Sequence, residues 1–372
     1  MTPWLSKSAA YVPAIREELR ADRTIYFSVL LYLLAGTLFV SSRSGAVLGA
    51  LWLYAIACAI AFGFVMPYGM LILGCARITL RLSDRRVLAY RYMFAPRRVA
   101  RFIAGTVLML LALMPFEAMF ASVKSALPTQ GRFPDDVIQA NFDQLLHFGR
   151  QPWEYLYAFA RNETVLHFVE LNYDTLWFVI CFGALYWVAT SPRGSALRIR
   201  YFVTFFVTWV LVGNVFAGVF LSAGPAFYAH VTGDAHRFAG LTQFVATASG
   251  SFYSAADAQA YLWALHEDGL SGFGSGISAF PSMHVALMAM NMFFAFELGR
   301  RVGLVALAYT IFIMLSSVYL GWHYAIDGYA ALILSGVVYW GVRRFWPAIE
   351  RLRRTRPPRL AGPEPAGATT GA

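Results

Sequence analysis

Two polar clusters near the C-terminal end of the chain hold the residues best suited to chemistry. Phe280–His284 (FPSMH) precedes one apolar run, and Tyr319–Asp327 (YLGWHYAID) precedes another. His323 and Asp327 are four residues apart, which on a helix places both side chains on one face within reach of each other. Ser282 stands just before its apolar run, a position typical of a helix N-cap. The spacing therefore predicts that each cluster opens a helix.

Imidazole and carboxylate groups in this pattern suit phosphoryl transfer. Asp327 would orient His323 and make it more basic, so that His323 attacks phosphorus while His284 protonates the departing oxygen. Two helix N-termini in one layer would also attract an anion. This chemistry requires no metal and no other cofactor. Spacing alone leaves a structural alternative open, because histidines also pack and form hydrogen bonds without a chemical role.

The composition of the chain excludes an ordinary soluble domain. Its 372 residues are 59% hydrophobic and only 13% charged, whereas charged residues make up about a quarter of a typical soluble protein. The net charge of +10 comes mainly from arginines beside apolar segments, where a role in membrane topology explains them and nucleic-acid binding is not expected. Cys58, Cys75 and Cys181 lack paired spacing and indicate neither a disulfide framework nor a zinc site. The sequence predicts a multi-pass membrane protein.

Apolar runs near the length needed to cross a bilayer, about 20 residues, give a count of about eight spans. They begin near Ile25, Ala46, Ile103, Leu176, Tyr201, Met283, Val302 and Ile326. The second is expected to continue past Pro67 with a kink. Most of the 30 Lys and Arg residues fall on the side that contains the N-terminus, which predicts that this side is cytoplasmic. Both polar clusters then lie on the non-cytoplasmic side.

The spans and loops divide the chain into four parts. These are a cytoplasmic N-terminal segment (1–24), an N-terminal membrane scaffold with an outer amphipathic loop (25–190), a catalytic membrane domain (191–345) and a disordered cytoplasmic tail of basic, Pro, Gly and Ala residues (346–372). The first residues lack the features of a secretory signal peptide, so the first span is expected to be an uncleaved anchor. The outer loop carries apolar and aromatic residues between Phe142 and Tyr157 that suit a membrane interface. They would either cap a lipid-accessible cavity or pack on the bundle.

The two clusters resemble the second and third motifs of the type 2 phosphatidic acid phosphatase (PAP2) superfamily, the latter starting at Ser316 in this chain. The resemblance implies an all-α polytopic transmembrane bundle with a PAP2-type core. It also implies that His323 forms a phosphohistidine intermediate, that Asp327 activates it and that His284 is the acid. The expected enzyme is metal-independent and acts on a phospholipid or polyprenyl phosphate.

Three departures from the superfamily pattern point to one of its branches. The chain lacks the usual first motif, Lys-x6-Arg-Pro, Ser317 occupies the place of the third-motif arginine, and Met283 replaces a glycine. Together with the segment Ser222–Tyr228, this pattern is similar to the branch that includes inositol phosphorylceramide synthase and, more distantly, sphingomyelin synthase. A phosphodiester donor carries one negative charge and so requires fewer cations than a monoester. The resemblance therefore favours an inositolphosphotransferase-like enzyme that transfers a phospho-headgroup to a lipid acceptor.

Two other functions remain open at this stage. One is hydrolysis of a lipid phosphate or polyprenyl diphosphate, with water as the acceptor. The other is a membrane transporter or scaffold that retains the fold without catalysis. The alanine and arginine content is compatible with a bacterial inner-membrane protein whose site faces the non-cytoplasmic side.

Residues around the two clusters are candidates for binding substrate. They are Ser282, Gly224, Pro225, Tyr319 and Arg237. Lys124 and Arg150 are further outer-side cations, for which a solvated or headgroup-binding role is the simpler expectation. His230, Asp234 and His236 form only a loose ligand set without a convincing third or fourth partner, and no metal is expected there.

Overall fold

The chain is helical throughout the part described by the computed structural model, which comprises residues 11–43, 51–128, 132–192 and 195–354. No strand occurs within these ranges, so the all-α prediction is confirmed. The principal helices in chain order are α1 (Tyr11–Ala21), α2 (Arg23–Ser42), α3 (Leu51–Arg81), α4 (Arg86–Met93), α5 (Pro96–Ser125), α6 (Asp136–Leu146), α7 (Pro152–Ala160), α8 (Glu163–Thr190), α9 (Leu197–Val219), α10 (Ala239–Val245), α11 (Ala255–Glu267), α12 (Met283–Leu298), α13 (Arg300–Tyr319) and α14 (Ala325–Arg354).

Seven of the described helices are long and apolar enough to cross a membrane, namely α2, α3, α5, α8, α9, α13 and α14. The remaining predicted span corresponds to α12, which is apolar but has only 16 residues. A full crossing requires about 20 residues. The protein is thus a multi-pass membrane protein in which the helix that follows the first polar cluster is shorter than a complete span.

Two prolines are accommodated within long helices by wider turns. The π-helical segment Ala59–Val65 precedes Pro67 in α3, and Met109–Leu113 precedes Pro115 in α5. Proline lacks a backbone N–H group and its ring clashes with the preceding turn of a regular helix. A π-turn relieves that conflict. The predicted continuation of the second span past Pro67 is therefore confirmed.

A buried ionic network fastens α1 to the bundle. The Arg101 guanidinium contacts Glu18 at 2.8 Å and Asp22 at 2.6 Å, and it also donates to the Ala189 carbonyl oxygen. Arg198 contacts Asp22 at 3.0 Å. Arg101 and Asp22 are buried, and buried charges persist only when they are paired and hydrogen-bonded. The N-terminal helix is thus held by α5 and α9.

One end of the bundle gathers both polar clusters. The backbone N–H of Ser282, just before α12, donates to the Asp327 carbonyl oxygen at 3.2 Å. The Ala279 N–H donates to the Ser222 carbonyl oxygen at 2.8 Å, which joins the approach to α12 to the segment after α9. Because α13 returns directly from α12, its C-terminal end also lies here. The membrane scaffold therefore brings distant parts of the sequence into one layer.

The predicted tail boundary differs from the structure. Helix α14 continues to Arg354, so residues 346–354 are helical rather than disordered. The rest of the predicted tail, 355–372, and the first ten residues lie outside the described ranges. Helices α6 and α7 lie between α5 and α8, helices α10 and α11 lie between α9 and α12, and all four cover the end of the bundle that holds the clusters.

Candidate active site

His323 and Asp327 form a buried pair at the start of α14. The His323 Nδ1 atom lies 3.3 Å from Asp327 Oδ2, and the Tyr324 backbone N–H donates to the same carboxylate oxygen at 3.0 Å. Asp327 is inaccessible to solvent and His323 is 8% exposed. The predicted contact is present, although α14 begins at Ala325. His323 therefore precedes the helix, and Asp327 reaches back to it from the first turn.

The turn before His323 is fixed by its own backbone. The N–H groups of Trp322 and His323 donate to the Ser317 carbonyl oxygen at 3.0 and 3.3 Å. Gly321 has a φ of +76°, and a Cβ atom there would lie 2.8 Å from the Leu241 side chain. Glycine adopts this conformation without strain. The Gly-Trp-His sequence thus closes the end of α13 and presents His323 to the site.

Burial keeps the His323 imidazole neutral. It lowers the pKa of His323 from 6.5 to about 3, with a further lowering by the positive charge of Lys124. A hydrogen bond with the Ala279 backbone acts in the opposite direction on this pKa. Burial thus outweighs the gain in basicity expected from Asp327. A neutral imidazole has a free electron pair, which a nucleophile needs.

The depressed pKa predicts how protein stability depends on pH. Between pH 6.5 and about 3 the unfolded state binds a proton at His323 that the folded state does not, so the free energy of unfolding decreases as the pH falls. In His323→Gln this contribution is absent. We expect the unfolding midpoint of wild type to decrease more than that of the variant between about pH 7 and about pH 4.5, measured by thermal unfolding in one detergent. Equal decreases would contradict a neutral buried His323.

His284 is held between two aromatic rings in the first turn of α12. Its ring stacks on Tyr173 with centroids 4.3 Å apart and packs on Trp177 at 4.0 Å. Trp177 Nε1 also donates to the His284 carbonyl oxygen at 3.0 Å. Ser282 caps this helix by accepting a hydrogen bond from Val285 N–H, as predicted. Aromatic faces attract cations, so the two rings would stabilise the protonated imidazole once a phosphate anion lies beside it.

Tyr173 and Trp177 lie in a part of α8 near the predicted start of the fourth span. Tyr173 precedes that predicted start and Trp177 is the residue just after it. The predicted start was Leu176, whereas α8 begins at Glu163 and includes a π-helical segment, Leu171–Leu176. Polar residues such as the fully buried Glu170 lower the hydropathy of this stretch. Single π-turns are frequent at functional sites. Here the wide turn contributes one of the two rings that hold His284.

Lys124 places a positive charge within electrostatic range of both imidazoles. It lies in the last turn of α5, close enough to act electrostatically on His284 and on His323. The turn before α12 packs closely on it, because a Cβ atom at Gly276 would lie 2.8 Å from Lys124 Cβ. Sequence reasoning gave this lysine a solvated or headgroup role. Its position within electrostatic range of the two histidines was not predicted.

Gly224 and Pro225 adjoin the turn that carries His323. Gly224 has a φ of +96°, and a Cβ atom there would lie 2.7 Å from the Trp322 carbonyl oxygen. Pro225 opens a short 3₁₀ turn, and the next residue, Ala226, donates its N–H to the Gly321 carbonyl oxygen at 2.9 Å. The glycine is required by this close approach of two backbones.

Asp136, which the sequence analysis missed, binds both halves of the site. One carboxylate oxygen accepts the N–H of Ala223 at 2.7 Å, and the other accepts the N–H of Gly224 at 2.9 Å and the Tyr324 hydroxyl at 2.8 Å. Burial raises the pKa of this carboxyl group, and the backbone donors oppose that shift. Asp136 thus joins the segment after α9 to the residue next to His323.

Asp143 occupies the N-terminus of α14. Its two carboxylate oxygens accept the N–H groups of Ala325 and Ile326, each at 3.1 Å. The expectation that two free helix ends form an anion site is therefore wrong for α14, because a carboxylate already fills that end. Asp136 and Asp143 lie seven residues apart on α6, a spacing that puts both on one helix face.

Substitution of Asp143 tests whether α6 positions the pair formed by His323 and Asp327. In Asp143→Asn one acceptor oxygen is replaced by a donor NH₂ group, so one of the two helix N–H groups loses its partner. We expect kcat to decrease about tenfold with little change in KM, because the first turn of α14 carries Asp327. Asp135→Asn, at the residue before α6, is the control. Steady-state kinetics on both variants should show the effect only for Asp143→Asn.

Tyr319 and Arg237 are engaged elsewhere. The Tyr319 hydroxyl donates to the Ala160 carbonyl oxygen at 2.7 Å. Arg237 donates to Asn141 at 2.7 Å and to Gln144 at 2.9 Å, both on α6. The side chains of these two predicted substrate-binding residues therefore hold outer helices in place. The other predicted residues gather around the His323 turn and the start of α12.

The loose ligand set in the outer loop has other contacts. The His230 ring stacks on Trp263 with centroids 4.5 Å apart. Asp234 accepts the backbone N–H groups of His236 and Arg237, which closes a local turn. Within the described ranges no group of three or more His, Cys, Asp or Glu residues is arranged to hold a metal ion.

Comparison with known proteins identifies the family. A family model described as the PAP2 superfamily matches residues 139–341, more than half of the chain. No curated protein and no solved structure matches the chain. The matched region runs from α6 into α14 and contains His284, His323 and Asp327, whereas Lys124 and Asp136 precede it. The chain belongs to the PAP2 superfamily of lipid phosphatases and phosphotransferases.

Proposed function

We propose that this protein is a lipid phosphotransferase that works through a phosphohistidine on His323. The observation that carries the proposal is the buried, neutral His323 paired with Asp327, within electrostatic range of His284 and Lys124. In the first step the His323 nitrogen forms a bond to phosphorus as the bond to the leaving oxygen breaks. His284 gives that oxygen its proton.

The second step regenerates the enzyme. The acceptor hydroxyl loses its proton to His284, its oxygen bonds to phosphorus, and the bond between phosphorus and His323 breaks. His284 is then protonated again, ready for the next donor. Asp327 keeps the His323 ring oriented and stabilises the positive charge that the ring acquires on attack. Each proton and leaving group is thus carried by a residue in this site.

Lys124 is the proposed cation for the phospho group, with Ser282, Gly224 and Pro225 forming the surrounding wall. In this chain the first motif is absent and Ser317 occupies the place of the third-motif arginine. Lys124 would supply the positive charge that these missing residues would otherwise provide. A single cation matches a phosphodiester, which carries one negative charge. This supports headgroup transfer over hydrolysis of a monoester.

Substitution of Lys124 should weaken catalysis without unfolding the protein. We expect Lys124→Met to lower kcat/KM by about 10²-fold, because the variant keeps the apolar stem but loses the charge that stabilises the transition state. Arg161→Met, which removes an exposed cation from the same outer region, should change it less than about threefold. Measuring kcat/KM of wild type and both variants at two salt concentrations would test this expectation. Equal losses in both variants would indicate a general effect of net charge.

Helix α6 supports access to substrate from the membrane. Its polar face binds the site, whereas Ile138, Phe142 and Leu145 on the other face are 67%, 50% and 74% exposed. A helix with an exposed apolar face lies stably at a membrane interface. We place this face in the leaflet on the non-cytoplasmic side, following the distribution of basic residues. The membrane would be the inner membrane of a bacterium.

The experiment that tests the activity compares acceptors. Purified protein in lipid nanodiscs receives phosphate-labelled phosphatidylinositol, phosphatidic acid or polyprenyl diphosphate, with and without ceramide or diacylglycerol. Label in a new lipid only when an acceptor is present supports the inositolphosphotransferase-like activity. Label released as free phosphate would instead indicate a hydrolase. No turnover in wild type or in His323→Ala would favour a transporter or scaffold.

A further inference from the structure

A second site lies at the opposite end of the bundle from the histidines. A cavity of about 530 Å³ opens between α3, α5 and α8, beside the end of α4. Arg98, in the first turn of α5, lines it, whereas Lys124 lies in the last turn of that helix. At 1.5 Å per residue the two are about 39 Å apart along the helix. The cavity is therefore separate from the candidate active site.

The cavity combines an apolar wall with a polar end. Met70, Leu71, Phe102 and Trp187 line the part that lies within the helices. Arg98 lies where α5 begins, and Thr190 and Ser191 line the cavity where α8 ends. Pockets of about 300–1,000 Å³ with apolar walls and a few polar groups are typical ligand sites. This arrangement suits an amphiphile with an apolar chain and a polar head.

Arg98 gives the polar end a positive charge. Its guanidinium lies over the Tyr92 ring, 3.7 Å from the centroid. Within the described ranges no carboxylate lies within ion-pair distance of it, whereas Arg101, three residues later, contacts two. An arginine held on an aromatic face keeps its donors available for a phosphate group. The charge therefore selects an anionic head.

The rim of the cavity opens towards lipid. Tyr68, Leu71 and Phe94 are 59%, 42% and 50% exposed although they lie on or beside membrane-spanning helices. In a membrane protein such a surface faces acyl chains. We propose that the cavity binds one acyl chain of an anionic phospholipid, with the lipid phosphate on Arg98. Basic pockets between helices at the cytoplasmic side of a membrane bind such headgroups.

The proposal is tested by binding, independently of any enzymatic activity. Delipidated wild-type protein in detergent is titrated with phosphatidylglycerol or phosphatidylcholine of identical chains, and bound lipid is counted by native mass spectrometry. One basic residue contributes about fivefold in affinity near a membrane surface. We expect phosphatidylglycerol to bind about fivefold more tightly than phosphatidylcholine, and Arg98→Gln to remove that preference. Arg97→Gln, an exposed neighbour outside the cavity lining, should retain it.

A second pair of variants tests the apolar part. Leu71→Trp fills the cavity and should abolish the binding of both lipids at this site, whereas Ile72→Trp, on the adjacent exposed surface, should not. Thermal unfolding of each variant confirms folding. The proposal is overturned if wild type binds the two lipids equally, if Arg97→Gln and Arg98→Gln lose the same affinity, or if both tryptophan variants retain full binding.

Discussion

His323→Asn is expected to lower kcat by about 10⁴-fold or more, with the protein still folded. The substitution keeps a polar side chain near Asp327 but removes the nitrogen that would bond to phosphorus. His284 is not free to replace it, because its ring is held between Tyr173 and Trp177. The residual rate would come from binding and electrostatic stabilisation alone. Single-turnover measurements with labelled donor lipid would quantify the loss.

A matched histidine provides the control for this experiment. His167→Gln removes a half-exposed imidazole that contacts Glu170 on α8, away from the proposed phosphoryl path. Its kcat should stay within about threefold of wild type. If His323→Asn retained more than about a tenth of wild-type activity, His323 could not be the nucleophile.

His284→Gln is expected to lower the rate by about 10²- to 10⁴-fold for a lipid donor, which is the usual contribution of a general acid. The size of the loss should depend on the leaving group. An alkoxide needs a proton as it departs, whereas a nitrophenolate leaves without one. With an aryl phosphodiester donor we therefore expect the loss to shrink to about tenfold or less.

This dependence separates catalysis from packing. If His284 only filled the space between Tyr173 and Trp177, the rates with the lipid donor and with the aryl donor would fall by the same factor. Trp177→Phe retains an aromatic ring but removes the hydrogen bond to the His284 carbonyl oxygen. It should lower the rate for the lipid donor more than for the aryl donor, because it affects the position of the acid.

The length and spacing of the apolar runs were sufficient to predict a bundle of membrane-spanning helices. The positions of the spans follow from runs that match the thickness of a bilayer. The start of α8 was placed too late because hydropathy treats Glu170 as solvated, whereas its carboxylate is buried and accepts the Ala255 N–H at 2.9 Å. A pattern of single residues contains no information about a partner 85 positions away.

The proposed catalytic pair was predictable for a different reason than the residues that support it. His323 and Asp327 are local in sequence, so their spacing implies contact. Asp136 and Asp143 bind backbone groups of segments that are 87 and 182 residues away, and in the sequence they are ordinary acidic residues of a polar loop. The apolar residues of α6 indicated a membrane interface but not what its polar face would bind. The position of Lys124 likewise depends on how α5 and α12 meet.

The covalent intermediate is the most direct test of the proposed mechanism. Wild type and His323→Gln would be mixed with donor lipid labelled on phosphate, without acceptor, and quenched in alkali within the first turnover. We expect one labelled site per chain in wild type, stable in alkali, lost in acid and located by peptide mapping at His323. The variant should carry no label. Label at another residue, or equal labelling of both proteins, would contradict the assignment of His323 as the nucleophile.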